Sequence, residues 1–240
     1  MKTLCVIPVF NEYSKLNNLI DQIKKNDHIK YNLQYIFVNN GSTDESLSLI
    51  KKSGVKYINL KNNKGVGYAL MMGFLYAKKY NFNNLVHLAG NGKMNPAQID
   101  KFLELIIKKD YDFVSGSRFL DGSSKKNNPL IRLILIKTFS ILLSFIIRKK
   151  ISDTTCGFRA FKIEIFKNFK KNFFKEEFFT YGYEYFSFGK IIKSNKIKFL
   201  EIPVSMDYPS KTNYSKIRPI VDWYIILKYW IKGLIDKNEL

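Results

Sequence analysis

The residues of this chain that could carry chemistry lie in a few short polar segments, and one of them is HLAGNGKMNP at residues 87–96. This segment ends an apolar run on a Gly-Asn-Gly tip, which is typical of a loop that projects from a strand. It contains no carboxylate, and Lys93 is its one charged side chain. The segment is therefore either an active-site loop that lacks metal ligands, or a simple turn.

Two other polar loops follow apolar segments. Asn11 and Glu12 follow TLCVIPVF, and NNGSTD follows YIFV. Short polar side chains at such places can bond loop backbone or a base and ribose, and Ser42 or Thr43 could cap the next helix. In NNKGVGYA, residues 62–69, two glycines precede a helix, so backbone N–H groups could face a phosphate, although the segment matches neither GxGxxG nor a P-loop.

Several cations and one carboxylate complete the set of candidates. Arg118 follows a predicted strand, Arg132 opens an apolar helix, and Lys211 and Lys216 flank small polar residues in a loop. Each could bind a phosphate, although the simpler alternative is that the side chain is solvated at the surface and binds no ligand. Glu184 lies among aromatics in YGYEYF, where burial would raise its pKa and suit a general base, or where it is structural.

The elements that must position these residues follow from hydrophobic periodicity. TLCVIPVF, YIFVNN, VKYINL and NLVHLAG are predicted strands, and helical patterns alternate with them. In the first helix the apolar positions are Leu16, Leu19, Ile20 and Ile23, and Pro96 opens a later one. The alternation predicts an α/β fold with a doubly wound sheet, whose ligands bind beyond the carboxyl ends of the strands.

Two apolar helices are predicted in the second half of the chain. In residues 129–147, Lys137, Ser140, Ser144 and Arg148 fall on one stripe, which favours an interfacial or core helix over a membrane-spanning one. A strand, IKFLEIPVSMDY, precedes a basic loop and a final helix. That helix combines charged residues four apart with interfacial aromatics, namely Lys228, Lys232, Asp236, Trp223, Tyr224, Tyr229 and Trp230.

Composition limits the class of protein. The 240 residues are 46% hydrophobic, which excludes a disordered chain, and the net charge of +20 favours anionic partners such as phosphorylated ligands or lipid surfaces, with codon bias as a further source of lysine. No nucleic-acid-binding motif accompanies the charge. Cys5 and Cys156 lack metal-like spacing and indicate a reducing compartment, and the N-terminal segment is expected to be a strand rather than a signal peptide.

The order of the motifs resembles glycosyltransferase family 2, the inverting enzymes of GT-A fold, and within it the dolichol-phosphate mannose synthase-like branch of polyprenyl-phosphate sugar synthases. The matching segments, between about residue 4 and about residue 218, are VIPVFNE, VNNGSTD, NKGVGYALMMG, GSRF, DTTCGFRAF, the Glu184 region, EIPV and NYSK.

The resemblance implies a role for each candidate. The nucleotide of a sugar donor would be bound by Pro8, Asn11, Glu12, Asn39, Asn40, Ser42, Asp44, Lys64, Gly65, Ala89 and Gly90. The catalytic candidates are Asn91, Lys93 and Glu184. Phosphates of acceptor and donor would be bound by Arg118, Arg132, Ser215 and Lys216.

The chain departs from the family at two places. The family usually has DDGS where this chain has Asn39-Asn40-Gly-Ser, and an Asp-x-Asp metal motif in the loop of Ala89 and Asn91. Mg²⁺ or Mn²⁺ prefers anionic oxygen ligands, so a metal ion is disfavoured and no residue is assigned as its ligand. Lys93 is the candidate to neutralise the leaving diphosphate instead.

We therefore expect a single GT-A domain at residues 1–218, with a nucleotide-sugar half at 1–120 and an acceptor half at 121–218, and an amphipathic helix at 219–240. It would transfer a sugar from a nucleotide-sugar donor, with inversion, to a polyprenyl phosphate or another lipid-linked acceptor, at the cytoplasmic surface of a membrane. A membrane partner subunit or self-association is compatible with the apolar helices.

Three alternatives stay open. The acceptor could be a hydroxyl of a surface glycan, with Glu184 as base, or the donor could be a CMP-sugar, whose leaving group depends less on metal. A catalytically inactive protein that binds nucleotide is the third.

Overall fold

The structure is a computed structural model that describes residues 1–26, 31–167, 174–208, 218 and 221–237. Seven strands form one sheet in the order β3-β2-β1-β4-β6-β5-β7. The strands are β1 Thr3–Val9, β2 Leu33–Asn40, β3 Lys56–Leu60, β4 Asn84–His87, β5 Phe113–Ser117, β6 Arg159–Lys162 and β7 Phe199–Pro203.

The sheet is mixed, because β6 runs antiparallel to both of its neighbours, β4 and β5. The other pairs, β1 with β2 and β4, β2 with β3, and β5 with β7, are parallel. The predicted α/β fold is confirmed, and β6 is an addition to it. No strand was predicted for DTTCGFRAF, because β6 has only four residues, two of them charged.

Seven helices in the described part of the chain connect and cover these strands. They are α1 Tyr13–Lys25, α2 Ser46–Ser53, α3 Val66–Lys79, α4 Ile99–Leu103, α5 Leu130–Ile147, α6 Gly182–Lys193 and α7 Val221–Ile235. A 3-10 turn, Pro96–Gln98, precedes α4, and a π-helical turn, Glu104–Lys108, extends it. Pro96 opens this composite helix as predicted, and the side chain of Asn95 caps it by accepting from the N–H of Ala97 at 3.0 Å.

Each face of the sheet carries its own hydrophobic core. Alternate residues of β1 point to opposite faces: Leu4 and Val6 pack with α3, α6 and α7, whereas Cys5 and Ile7 pack with α1 and α4. The predicted buried face of α1 is confirmed, since Leu16, Leu19, Ile20 and Ile23 are buried. Burial on both sides explains why the strands read as continuous apolar runs.

Helix α5 is buried along one narrow stripe, which contains Ile136, Ser140 and Leu143. The serines of the supposed polar stripe point into the protein: Ser140 Oγ accepts from the N–H of Thr154 at 3.2 Å, and Ser144 Oγ from that of Ile151 at 2.9 Å. Most of the aliphatic side chains of α5 face outward. Exposed apolar residues on α5 are Leu130, Ile131, Ile134, Leu135, Ile141, Leu142, Phe145 and Ile146. By length and composition alone α5 could cross a membrane, and 17% of its residues are buried within the protein.

Only one face of helix α7 packs against the rest of the protein. Tyr229 and Trp230, expected at a bilayer interface, are instead buried against α6, where Gly189 and Gly233 let the two backbones approach closely. Lys190 pairs with Asp236 at 2.7 Å and fastens the C-terminal end of α7. The opposite face carries the exposed apolar residues Val221, Tyr224, Leu227, Ile231 and Ile235.

Candidate active site

A cleft of about 450 Å³ lies beyond the carboxyl ends of β1, β2 and β4. This is the edge of the sheet at which the sequence predicted three polar loops to converge. Eleven of the predicted site residues line the cleft: Pro8, Glu12, Asn40, Gly65, Ala89, Gly90, Asn91, Lys93, Arg118, Arg132 and Glu184. Ser215 and Lys216, like Lys211, lie outside the described residues.

Asn11 joins the loops after β1 and β2 rather than lining the cleft. It has a left-handed backbone, φ +50°, and its Oδ1 accepts from the N–H of Thr43 at 2.8 Å. Its own N–H donates to Ser42 Oγ at 3.1 Å. The expected capping of α2 by Ser42 or Thr43 is therefore wrong, because both side chains bond Asn11. Asn11 and Ser42 therefore hold together the two loops that line the cleft, without lining it themselves.

Asp44 also supports the loops instead of lining the cleft. One carboxylate oxygen accepts from the N–H of Ser46, at the start of α2, at 3.0 Å. The other accepts from the N–H of Tyr13, at the start of α1, at 3.1 Å. One carboxylate thus satisfies open N–H groups at two helix N-termini, which its charge also favours.

Asn40 binds the loop that follows β3, and its chemistry requires an amide. Its Nδ2 donates to the carbonyl oxygen of Gly65 at 3.0 Å and to Asn63 Oδ1 at 2.9 Å, while its Oδ1 accepts from the N–H of Lys64 at 3.2 Å. A carboxylate could not donate to the Gly65 carbonyl oxygen. Asn39 similarly donates to Asn59 Oδ1 at 2.7 Å and does not line the cleft.

The phosphate site expected at the start of α3 is contradicted, because the N–H groups of Gly67 and Tyr68 already donate to other parts of the protein. Gly67 N–H donates to the carbonyl oxygen of Thr180 at 2.7 Å, and Tyr68 N–H to that of Phe179 at 2.8 Å. A Cβ at Gly67 would overlap these carbonyls. The glycine therefore permits a close approach of the segment before α6. Lys64 lies outside the cleft lining, with its ammonium 5.0 Å from the ring centre of Tyr68.

The loop after β4, residues 88–95, forms one wall of the cleft. Gly92 turns it with φ +70°, and Asn91 Oδ1 accepts from the N–H of Lys93 at 3.4 Å. Gly90 approaches the carbonyl of Pro8 so closely that a Cβ would lie 2.7 Å from its oxygen. The loop supplies an amide and an ammonium but no carboxylate, so its donors do not fit a hard divalent cation. The described residues contain no group of three His, Cys, Asp or Glu side chains that could hold a metal ion.

Lys93 lies in a cationic part of the cleft. Burial, and to a smaller extent the charges of Arg132 and Arg118, lower its pKa to about 8. Tyr208 is the aromatic neighbour of two of these cations: its ring centre is 5.3 Å from Lys93 Nζ and 6.0 Å from Arg132 Cζ. Arg132 Nε is buried without a hydrogen-bond partner within the described residues.

Arg118 is held rigidly by a buried carboxylate. Its Nε and Nη2 donate to Asp153 at 2.7 and 2.8 Å, and Nη2 also donates to Thr155 Oγ1 at 2.6 Å. The Arg118 charge keeps the pKa of Asp153 below its usual value despite burial. The expected role in binding phosphate must therefore be shared with a structural one, and the pair contributes little net charge to the cleft.

Glu184, in the first turn of α6, faces this cationic part. Burial raises its pKa, which the charges of Arg159 and Lys93 partly oppose. Its Oε1 is 3.9 Å from Nη1 of Arg159, whose guanidinium stacks 4.1 Å from the ring centre of Phe188. The raised pKa is the property expected of a general base.

Some cleft residues were missed by the sequence analysis. Tyr181 and Tyr185 come from α6 and the turn before it, Tyr208 follows β7, and Asp222 pairs with Arg218 at 2.9 Å at the start of α7. The aromatic repeat YGYEYF was the available signal for the first two, because Tyr181 and Tyr185 lie four residues apart on one helical face with Glu184 beside them.

Comparison with known proteins places these features in context. The profile described as "Glycosyl transferase family 2" matches residues 4–169. The polyprenol monophosphomannose synthase of Mycolicibacterium smegmatis is 23% identical over 246 residues, covering 98% of this chain and 89% of that protein. The UDP-N-acetylglucosamine–dolichyl-phosphate N-acetylglucosaminyltransferase of Methanococcus voltae is 26% identical over 231 residues, covering 89% and 87%.

Solved structures share the fold. Residues 1–349 of Staphylococcus aureus TarS, in complex with UDP, superpose with a TM-score of 0.63 at 16% identity, covering 100% of this chain and 67% of that one. Glucosyl-3-phosphoglycerate synthase of Mycobacterium tuberculosis, with Mn²⁺, UDP and glucosyl-3-phosphoglycerate, gives 0.62 at 14% identity, covering 97% and 78%.

Proposed function

Because the chain belongs to glycosyl transferase family 2, we propose that this glycosyltransferase moves a sugar from a nucleotide-sugar donor, with inversion, to a polyprenyl phosphate. The observation that carries the proposal is the composition of the cleft. Its nucleotide end is formed by the loops after β1 and β2, and its other end by Lys93, Arg118 and Arg132. The relatives named for polyprenol and dolichyl phosphate support the same acceptor class.

The cationic end suits a phosphate acceptor. A phosphate monoester is ionised at neutral pH, so its oxygen can attack the anomeric carbon without a general base. As that bond forms, the bond from the anomeric carbon to the donor diphosphate breaks, and the electron pair stays on the diphosphate oxygen. Arg132, whose Nε has no hydrogen-bond partner among the described residues, would bind the acceptor phosphate, and Arg118 would hold the neighbouring wall in place.

The two helices beside this end suit a lipid. Arg132 lies in the first turn of α5, and Asp222 and Ile225 lie in the first half of α7, so both helices begin at the cleft. Each helix exposes a row of apolar side chains, and Phe139 of α5 meets Trp230 of α7 with ring centres 6.2 Å apart. We infer that these rows rest in the surface of a membrane, on its cytoplasmic face, with the acceptor headgroup entering between the helices.

Product extraction tests the proposal. The purified protein is mixed with vesicles that contain a polyprenyl phosphate and with radiolabelled UDP- or GDP-sugars, and label is followed into organic solvent. We expect lipid-linked label, with about 10- to 100-fold less transfer for Arg132→Gln, because a charged hydrogen bond to phosphate is lost. Lys101→Ala, which removes an exposed lysine from α4 outside the cleft, is the matched control.

The raised pKa of Glu184 favours a second candidate function, transfer to a hydroxyl of a glycan with Glu184 as base. Label found only on a soluble glycan, and abolished by Glu184→Gln, would support it and overturn the lipid acceptor. Binding of nucleotide without turnover of any donor would identify an inactive protein instead.

A further inference from the structure

The wall of the cleft that would face a donor diphosphate has the wrong chemistry for a metal ion. A related fold binds UDP together with Mn²⁺ in a solved complex. In this chain the loop where the family resemblance places the metal motif, residues 88–95, offers the methyl group of Ala89, the amide of Asn91 and the ammonium of Lys93. Mn²⁺ and Mg²⁺ require several oxygen ligands, preferably anionic, and an adjacent ammonium would repel them.

Lys93 is the cation that occupies this wall. Its side chain lines the cleft, and among the described residues it forms no ion pair. The charge of Glu184 raises the pKa of Lys93 slightly, and this carboxylate also lies 3.9 Å from Arg159. Lys93 is partly buried, and an ammonium that loses hydration without gaining an ion pair is destabilised, so the position favours an anionic ligand.

The neighbouring cations increase this demand. The charges of Arg132 and Arg118 act against the charge of Lys93, as its lowered pKa reflects. Asp153 neutralises Arg118, but nothing described neutralises Arg132 Nε. Like charges brought together in a cleft repel each other, and an anion that binds between them relieves this repulsion.

We propose that Lys93 replaces the divalent cation of the transfer reaction: its ammonium binds the donor diphosphate directly and neutralises the leaving group. This inference rests on the proposed function and deepens it. When the acceptor oxygen bonds to the anomeric carbon, the diphosphate oxygen takes the electron pair of the broken bond. Lys93, which lies beside the same Tyr208 ring as Arg132, stabilises that developing negative charge.

Titration calorimetry of the full chain tests the proposal, with UDP and inorganic pyrophosphate as probes, in EDTA and in Mn²⁺. We expect binding in EDTA that added Mn²⁺ does not strengthen. Lys93→Met should weaken binding of both probes about 10- to 100-fold, Lys93→Arg should retain most of it, and Lys101→Ala should leave it unchanged.

Thermal unfolding separates this role from a structural one. Because Lys93→Met removes a partly buried cation that Arg132 and Arg118 repel, it should raise the Tm of the ligand-free protein while binding is lost. Binding of UDP only with Mn²⁺, or undiminished binding by Lys93→Met, would overturn the inference and leave the proposed function intact. Failure of both probes to bind in either condition would overturn the two together.

Discussion

His87 is a buried titratable residue at the inner end of the cleft. It is 4% exposed, and neither ring nitrogen has a hydrogen-bond partner within the described residues. Its ring meets that of Phe161 edge-on at 5.1 Å, and Arg159 lies opposite it on β6. Burial and the Arg159 charge lower its pKa to about 3. His87 is therefore neutral at physiological pH and serves as an aromatic core residue.

This pKa predicts how stability depends on pH. Below about pH 6.5 the unfolded chain binds a proton at His87, whereas the folded chain binds it only near pH 3. As the pH is lowered from about 6.5 to about 3, the free energy of unfolding should thus fall by about 1.4 kcal/mol per pH unit from this residue alone. Urea unfolding at pH values across the window should show a smaller loss for His87→Phe than for the parent chain. Equal losses would contradict the lowered pKa.

At the scale of elements, the exposed face of α5 makes a second prediction. Leu135 is 51% exposed and Phe145 is 78% exposed, so a charge at either position costs little in folding. If this face rests in a bilayer, Leu135→Glu and Phe145→Glu should each weaken binding to vesicles about 10-fold, because one large apolar side chain leaves the interface.

Vesicle co-sedimentation measures this effect, with unchanged Tm as the test of folding. Tyr57→Glu is the matched control, because Tyr57 is 41% exposed on the edge strand β3, away from α5 and α7. An equal loss for the control, or no loss for the α5 variants, would remove the membrane role of this helix.

The elements also show what the sequence could predict. Helix α1 and strand β1 were found because every residue of their apolar pattern is buried by this chain itself. The orientation of α5 could not be predicted from the sequence. The rule that polar side chains face outward fails there, because two serines bond a buried loop and aliphatic residues face outward. Strand β6 was missed because it is short and its pairing is decided by distant strands.

The site was predictable to a similar degree. The loops after β1, β2 and β4 could be placed because parallel strands end at one edge. The sequence could not tell which side chains face the cleft and which support it, as for Asn11 and Asp44, because that depends on where α1 and α2 begin. The burial of Arg118 against Asp153, 35 residues away, is likewise a tertiary fact.

At the scale of the whole molecule, the net charge of +20 should govern the approach to a membrane. Each basic residue near an anionic surface contributes about 1 kcal/mol, and salt screens this attraction. Binding to vesicles of anionic lipid should therefore fall steeply as NaCl is raised, whereas the weaker binding to neutral vesicles should change little. A sedimentation series in salt measures both, and equal salt dependence for the two lipids would contradict an electrostatic contribution.

The place of β6 in the sheet has a consequence for biosynthesis. Within the described strands, β5 pairs only with β6 and β7, both of which follow it by more than forty residues. A nascent chain can assemble β3-β2-β1-β4 early, but β5 has no partner until residues 159–162 have left the ribosome. By then the apolar helix α5, residues 130–147, is already outside. The protein must complete its sheet while that helix is exposed, which makes early contact with a lipid surface or a chaperone an advantage during synthesis.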